Sequence, residues 1–241
     1  MSAQRPTWLS DPDHCLRIGV PAGEFDAYVS YAQRSAPVVI VLHEIFGINA
    51  DMRATCDELA SAGFTAICPD LFWRQERNID FSSWSQAEWN KGLALYRAFD
   101  LDEGVHDIAA AAATGRGLDR ANGNVGVMGF CLGGLLTFLT ACRSQINAAV
   151  AWHGGRTEEF LAEAASLSAP MLMHLAGDDE FIPAEAQRRI REALQPLPHV
   201  EIHTYPGCHH AFARHTGTHY DAAAAALANG RTRAFLRGHL Y

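Results

Sequence analysis

The chain has 241 residues, of which 49% are hydrophobic and 19% are charged. This balance provides enough apolar side chains for one large core and argues against intrinsic disorder. The net charge of −8 disfavours binding to nucleic acid or to an anionic membrane, because both require clustered lysine and arginine. We therefore predict one folded domain over residues 1–241 without a nucleic-acid partner.

The N-terminal segment and the cysteines indicate a cytoplasmic protein. The segment MSAQRPTWLSDPDH lacks the apolar run and the small-residue cleavage site of a secretory signal. No stretch approaches the roughly 18 apolar residues of a membrane span. The cysteines are scattered without a CxxC pair, so neither a zinc finger nor a disulfide framework is expected. The sequence predicts a soluble, cytoplasmic monomer or weak homodimer that does not associate with membranes.

The first half of the chain alternates between strand and helix patterns. Hydrophobic side chains at every second position from Phe25 to Tyr31 are typical of a half-buried edge strand. Continuous apolar, β-branched runs predict strands covered on both faces, whereas apolar residues spaced i, i+4, i+7 predict helices. In chain order these patterns give two short strands within 16–31, a strand at 38–42, a helix around 52–59, a strand at 64–68, an irregular section at 71–85, and helices around 89–96 and 101–112.

The second half continues the alternation. It predicts strands at 125–128, 148–152, 171–175 and 200–205, and helices at 134–142, near 157–166, at 184–194 and from about Asp221 onward. Regular alternation of this kind gives an α/β fold with a doubly wound, mostly parallel sheet. Such sheets carry their functional sites at the C-terminal ends of the strands.

A glycine-rich turn follows the predicted strand at 125–128. The sequence GFCLGG at 129–134 matches the G-x-nucleophile-x-G elbow of α/β-hydrolases, with cysteine in place of the usual serine. Glycines on either side are needed because side chains there would collide with neighbouring backbone. The N–H groups at the start of the next helix favour a thiolate and later an oxyanion. Cys131 is therefore the predicted nucleophile; the alternative is a buried structural cysteine.

Two later loops offer an acid and a base in the order nucleophile, acid, base that α/β-hydrolases use. The penultimate strand is followed by three acidic residues at 178–180. Among them we favour Asp179, because it stands four residues before Pro183, a residue type that often opens a helix. The last strand is followed by His209 and His210, and a histidine on this loop can reach both the nucleophile and the acid.

The segment HEIFG at 43–47 follows the predicted strand at 38–42. In α/β-hydrolases this loop supplies one N–H of the oxyanion hole, and the residue after the nucleophile supplies the other. The backbone amides of Ile45 and Leu132 are the predicted donors. Glu44 is unexpected here, because a carboxylate opposes a developing negative charge. The residues alone favour a salt-bridged, structural Glu44.

Together these motifs resemble the dienelactone hydrolase family, and the resemblance covers nearly the whole chain. It implies attack on a lactone or small ester carbonyl, a thioester acyl-enzyme and then hydrolysis, without a metal or organic cofactor. The segments that carry the resemblance are HEIFG at 43–47, GFCLGG at 129–134, GDDEFIP at 177–183 and HAFAR at 210–214.

The resemblance also implies roles for individual residues. Cys131 is the nucleophile, His210 is the base, and Asp179 is the acid that orients the base. Glu44 hydrogen-bonds the resting thiol and takes its proton when substrate enters. Arg214 binds a carboxylate of the substrate.

The predicted substrate pocket departs from the family pattern. The family uses a second arginine for the substrate carboxylate, and an ungapped count puts Trp89 at its position. Leu93 replaces a tyrosine, and Trp152 and His153 stand where the family often has tyrosines. Loss of a bidentate arginine contact is not a conservative change. We therefore predict substrate binding by Arg214, Trp89, Trp152 and His153, with the reaction class implied more directly than dienelactone itself.

Two other functions are compatible with the sequence. A broader carboxylesterase or thioesterase would use the same triad and differ in the shape of its pocket. A non-catalytic, redox-responsive protein would use Cys131 to sense oxidants. A sensor needs no proton relay, so the Asp179–His210 pair argues against it and favours a hydrolase acting on a small ester or lactone.

Overall fold

The computed structural model describes residues 6–82 and 85–241. Residues 1–5 of the N-terminal segment and 83–84 of the predicted irregular section lie outside the described residues. Within the described chain one sheet contains the strands β1 (Cys15–Val20), β2 (Gly23–Ser30), β3 (Ala36–Leu42), β4 (Thr65–Pro69), β5 (Ala121–Phe130), β6 (Ala148–Trp152), β7 (Met171–Ala176) and β8 (Val200–Tyr205).

The strand order across the sheet is β1-β2-β4-β3-β5-β6-β7-β8. β2 pairs antiparallel with β1 and with β4. All pairs from β4 to β8 are parallel. The predicted α/β fold with a doubly wound, mostly parallel sheet is confirmed.

The helices of the described residues alternate with these strands. They are α1 (Ala50–Ser61), α2 (Gln86–Arg97), α3 (Leu101–Arg116), α4 (Leu132–Arg143), α5 (Ala184–Leu194) and α6 (Ala222–Leu240). Among them, none has the length and apolar character needed to cross a membrane. The helix predicted near 157–166 is wrong in type: two short 3-10 helices form there, because the backbone of Phe160, with φ −113°, interrupts the segment.

The edge-strand prediction for residues 25–31 is also wrong. β2 has a hydrogen-bonded neighbour on each side, and β1 is the edge. The second face of β2 is covered as well, since Tyr28 packs edge-to-face on Trp8 and its hydroxyl donates to Asp57. Tyr31 lies beyond the strand and is exposed. Alternation of hydrophobic residues shows that the two faces of a strand differ in burial. It does not show how many neighbouring strands pair with that strand.

The central strands are apolar at every position because helices cover both faces of the sheet. In β3, Val38, Ile40 and Leu42 belong to the layer that also contains apolar residues of α2, α3, α4 and α5. Val39 and Val41 belong to the opposite layer, with residues of α1 and α6. Full burial of such side chains stabilises the fold by about 1.5–3 kcal/mol each. With both faces occupied, a functional site has to form at the strand ends.

Five neighbouring parallel strands end at the same edge of the sheet: β3, β5, β6, β7 and β8. The segments that follow them therefore converge. Glu44 follows β3, Cys131 follows β5, His153 follows β6, Asp179 follows β7 and His210 follows β8. The fold brings these chemically active side chains to one edge, although they are far apart in the sequence.

Candidate active site

Cys131 occupies the turn between β5 and α4. Its backbone has φ 54° and ψ −112°, a conformation that a non-glycine residue adopts only where the surroundings enforce it. A Cβ atom at Gly129 would overlap the carbonyl of Gly133, and one at Gly133 would overlap the backbone of Leu42. The backbone N–H of Cys131 donates to the carbonyl of Trp152 over 3.1 Å. The turn is therefore held tightly, with Cys131 immediately before the N-terminus of α4.

His210 and Asp179 form a buried hydrogen-bonded pair. Nδ1 of His210 lies 2.9 Å from Oδ2 and 3.0 Å from Oδ1 of Asp179. Oδ1 also accepts the backbone N–H groups of Phe181 and Ile182, so the turn before α5 fixes the carboxylate. Asp179 in turn favours the tautomer of His210 protonated at Nδ1. The other ring nitrogen, Nε2, is buried and has no hydrogen-bond partner within the described residues.

The charges around His210 favour its imidazolium form. Burial alone would lower the pKa of His210, but the Cys131 thiolate and the Asp179 carboxylate outweigh it and raise the pKa to about 10. An imidazole that accepts the thiol proton in this environment stays protonated at neutral pH. This is the direction needed for general-base activation of a cysteine.

The neighbouring acids and histidine lack this geometry. Asp178 is exposed, and the carboxylate of Glu180 accepts the backbone N–H of His210 over 3.2 Å. The side chain of His209 is 53% exposed and lies 3.7 Å from Glu180. Asp179 and His210 are thus the acid and histidine that the fold pairs beside the elbow.

Glu44 and Arg214 form a second buried pair. Nη1 of Arg214 donates to Oε2 of Glu44 over 2.8 Å, and the two side chains are 17% and 5% exposed. This is the salt bridge that the residues alone favoured. A carboxylate oxygen of Glu44 nevertheless lies within 4.8 Å of a ring nitrogen of His153 and of His210. The Glu44 carboxylate is therefore close enough to interact electrostatically with His210.

Glu44, His153 and His210 are also a set of donors that could surround a metal ion within the described part of the chain. Arg214 already holds one carboxylate oxygen of Glu44, and its positive charge opposes a cation at the same place. Nδ1 of His153 accepts the backbone N–H of Cys131 over 3.3 Å. We assign no metal to this cluster, and the predicted absence of metal and cofactor remains a prediction.

A cavity of about 290 Å³ opens at Cys131 and His210. One wall is a face of α2, where Trp89, Leu93 and Tyr96 are spaced i, i+4, i+7. The Trp89 ring lies 5.8 Å from that of Phe46 and 6.1 Å from that of Phe181, measured between centroids. These contacts make one end of the cavity aromatic.

The predicted oxyanion donors and Arg214 line the same cavity. Ile45 and Leu132 both contribute to its wall. The backbone N–H of Leu132 belongs to the first turn of α4, where amides have no acceptor within the helix. Arg214 also lies over the Phe46 ring, with its guanidinium carbon 5.3 Å from the ring centroid. These positions are compatible with their predicted roles at a reacting carbonyl and at a substrate carboxylate.

Two residues predicted to bind substrate do not line this cavity. Trp152 is fully buried and does not line the cavity; its ring packs 4.1 Å from that of His174. His153 is 1% exposed and lines a separate cavity of about 40 Å³ that also borders Glu44 and Arg214. Burial first, then the charges of His210 and Arg214, lower the pKa of His153 well below its ordinary value. The backbone carbonyl of Trp152 and Nδ1 of His153 both accept the N–H of Cys131, so both residues contact the elbow.

Some polar residues of the cavity were not predicted. Tyr96 and Arg156 are two of them, and both line it. The spacing of Tyr96 from Trp89 and Leu93 was available in the sequence as a shared helix face. For Arg156 the sequence signal was its position shortly after the end of a strand, which is typical of functional sites in parallel sheets.

The mostly parallel sheet, with a strained cysteine turn and a buried histidine–carboxylate pair at its C-terminal edge, has the architecture of an α/β-hydrolase. The sequence profile of the dienelactone hydrolase family matches residues 25–240. The chain belongs to the dienelactone hydrolase family and is a hydrolase.

Named relatives agree with this assignment. Carboxymethylenebutenolidase of Pseudomonas putida is 38% identical over 227 residues, which cover 92% of this chain and 96% of that protein. Carboxymethylenebutenolidase 1 of Cupriavidus pinatubonensis is 36% identical over 211 residues, 87% of this chain and 90% of that protein. A crystal structure of a candidate dienelactone hydrolase from Klebsiella pneumoniae superposes with a TM-score of 0.80 at 27% identity, covering 92% of this chain and 98% of that chain.

Proposed function

We propose that this protein hydrolyses a small lactone or ester of the dienelactone type through Cys131, His210 and Asp179. The observation that carries the proposal is the 2.9 Å contact between His210 and Asp179 beside a strained cysteine that lines the same cavity. Relatives named carboxymethylenebutenolidase support the lactone as the substrate class. Acyl transfer needs a nucleophile, a base and an orienting acid, and these three residues supply that set.

The reaction begins when the Cys131 thiol gives its proton to Nε2 of His210 and the thiolate attacks the substrate carbonyl carbon. The carbonyl oxygen becomes an oxyanion, which the backbone N–H groups of Ile45 and Leu132 stabilise. Collapse of this intermediate breaks the C–O bond, and His210 returns the proton to the leaving alkoxide. A thioester remains on Cys131.

Water completes the reaction. His210 takes a proton from a water molecule, and the resulting hydroxide attacks the thioester carbonyl. Collapse breaks the C–S bond, releases the carboxylic acid product and returns the proton to Cys131. Asp179 holds the His210 ring and stabilises its positive charge throughout.

We infer that Glu44 assists the first step by taking the thiol proton when substrate enters and passing it on to His210. Its short distance to His210 and its place in the cavity wall support the role. In the described state Glu44 is paired with Arg214.

The second candidate is a broader carboxylesterase. The observation that favours it is the aromatic end of the cavity, where Trp89 packs with Phe46 and Phe181. Aromatic side chains stabilise an apolar acyl or alcohol group and offer nothing specific to a carboxylate. Turnover of neutral p-nitrophenyl esters at rates above those of carboxylated lactones would favour this function.

The test uses purified enzyme and a panel of lactones and p-nitrophenyl esters. We expect Cys131→Ala to reduce kcat/KM by about 1,000-fold or more, since the remaining groups cannot form the acyl-enzyme. Cys131→Ser should retain a small activity, because the proton relay also suits an alcohol. Cys142→Ala is the matched control, as this half-buried cysteine lies in the last turn of α4. Near-normal turnover by Cys131→Ala would contradict the proposal.

A further inference from the structure

The cavity runs along one face of α2 and has two unlike ends. Trp89 and Tyr96 both line it, and seven residues of helix separate them by about 10 Å along the axis. Trp89 lies with Phe46 and Phe181 at the aromatic end. Tyr96 lies at the other end with Arg156, which also lines the cavity. The polar end therefore contains a phenol and a cation.

The backbone of Arg156 has φ 69° and ψ 6°, a left-handed conformation that glycine adopts more easily than arginine. Cys131 and Ala211, which line the same cavity, also have positive φ. Backbone strain of this kind concentrates at functional sites. Glycine at 156 would relieve the strain, so a useful side chain is the simplest reason for arginine there.

The hydrogen-bonding capacity of this pair suits an anion. Oε2 of Glu159 accepts from Nε of Arg156 at 3.0 Å and from Nη2 at 2.8 Å. A guanidinium has five N–H donors, so the bonds to Glu159 do not exhaust them. The Tyr96 hydroxyl has one proton to donate. Burial raises the pKa of Tyr96, which keeps the hydroxyl protonated.

Arg214, the other arginine of the cavity, forms the more buried salt bridge. Arg214 and Glu44 are 17% and 5% exposed, whereas Arg156 and Glu159 are 43% and 49% exposed. Solvent screens the Arg156–Glu159 pair, and exposed ion pairs of this kind contribute little stability. A substrate anion therefore displaces Glu159 from Arg156 more readily than Glu44 from Arg214.

We propose that Tyr96 and Arg156 form a subsite for a carboxylate of the substrate, at the end of the cavity away from Trp89. The carboxylate accepts one hydrogen bond from the Tyr96 hydroxyl and one from the Arg156 guanidinium, while the apolar part of the substrate extends toward the aromatic end. This subsite provides the second cationic contact that Trp89 cannot. The inference rests on the proposed hydrolase function.

The experiment compares mono-p-nitrophenyl glutarate with its methyl ester, which differ only in the free carboxylate. The quantity measured is the ratio of kcat/KM for the charged ester to that for the neutral one. We expect Arg156→Gln to lower this ratio by about 10-fold, and Tyr96→Phe to lower it less, because a charge-assisted contact exceeds a neutral one. Glu159→Gln should leave the ratio unchanged or raise it, since it removes a competing carboxylate.

The opposite responses of Arg156→Gln and Glu159→Gln separate binding from bracing. If the pair only braces the loop, both variants break it, and both esters lose turnover together. Arg188→Gln is the matched control, because Arg188 forms the same i,i+3 pair with Glu185 on α5. Arg156→Gly, which suits the backbone, should lower the ratio as Arg156→Gln does without lowering the melting temperature.

An unchanged ratio in Arg156→Gln, with both esters still hydrolysed, would overturn the subsite and leave the proposed function standing. A drop confined to Arg214→Gln would assign the carboxylate to Arg214 and overturn the subsite as well. Failure of the wild-type enzyme to hydrolyse any ester or lactone of the panel would instead overturn the proposed function, and the subsite with it.

Discussion

Two buried histidines differ in charge although both are hidden from solvent. His174 lies within β7 and is 0% exposed; His210 follows β8 and is 7% exposed. Burial, reinforced by the charges of His203 and Arg231, lowers the pKa of His174 to about 3. The pKa of His210 is raised to about 10 in spite of its burial.

The hydrogen-bond partners explain this difference. The ring nitrogens of His174 contact two neutral hydroxyls, Tyr205 at 2.8 Å and Thr232 at 2.9 Å. His210 instead lies beside the charge of Cys131 and contacts the carboxylate of Asp179. Burial by itself disfavours a charged imidazole, and only an opposite charge reverses this. The partners of a buried histidine, rather than its burial, therefore distinguish a proton carrier from a structural residue.

The largest effect should come from removing the charge that distinguishes His210. We expect Asp179→Asn to lower kcat by about 1,000- to 10,000-fold, because the amide stabilises neither the imidazolium nor the productive tautomer. The measurement is the turnover of the best substrate found in the ester and lactone panel.

The control for this variant is Asp178→Asn, which alters the exposed neighbour and should leave turnover within a few-fold of wild type. If Asp178→Asn were the inactive variant and Asp179→Asn the active one, the assignment of the acid would be reversed. A loss confined to folded yield, with normal activity per folded molecule, would make Asp179 structural.

The elbow could be predicted from the sequence because its constraints are local. The glycines of GFCLGG at 129–134 lie within a few residues of Cys131, and each is required by a backbone approach next to the turn. The chain order of nucleophile, acid and base could be predicted for a related reason, since parallel strands all end at one edge. Features that depend on local geometry or on strand order can therefore be predicted from short sequence motifs.

The cavity wall could not be predicted in the same way, because long-range contacts set it. Glu44 pairs with Arg214 across 170 positions of the chain, and no spacing rule covers that distance. Trp152 was assigned to the pocket because it stands where the family often has a tyrosine. Its pairing opposite Phe130 in the sheet directs the ring into the core. Arg156 was missed because its contact with Tyr96 depends on how α2 packs over the strand ends.

A second carboxylate, that of Glu44, lies near His210. We expect Glu44→Gln to lower kcat/KM by about 100-fold per folded molecule, because an amide cannot take a proton from Cys131. The melting temperature should fall as well, since Arg214 loses a charged partner that is only 5% exposed. Activity and thermal unfolding are measured on the same preparation.

The two contributions of Glu44 separate in the double variant Glu44→Gln, Arg214→Gln. Removing both charges should recover much of the lost stability, because no unpaired ion remains buried. It should not recover activity if Glu44 serves the triad. Normal activity per folded molecule in Glu44→Gln, with only the melting temperature reduced, would show that the ion pair is structural.

The smallest expected effect concerns His174, which is neutral in the folded protein. Its pKa of about 3 in the folded protein lies below the ordinary unfolded value of about 6.5. Between these values the unfolded chain binds a proton that the native protein does not. The stabilisation is therefore complete above pH 6.5 and is lost as the pH falls, by about 1.4 kcal/mol per pH unit. His210 has the opposite sign: its contribution is complete below pH 6.5 and is lost as the pH rises toward about 10.

The measurement is urea unfolding of the wild type and of His174→Gln at pH 7, 6 and 5. Glutamine can still hydrogen-bond the Tyr205 and Thr232 hydroxyls but does not titrate, so acid should destabilise the variant less steeply. The comparison cancels every other group that titrates in this range, because both proteins contain them. Parallel pH dependences would show that His174 binds a proton as readily in the folded protein as in the unfolded chain. Two neutral hydroxyls would then be enough to offset the burial of a charged imidazole, which would contradict the requirement for an opposite charge.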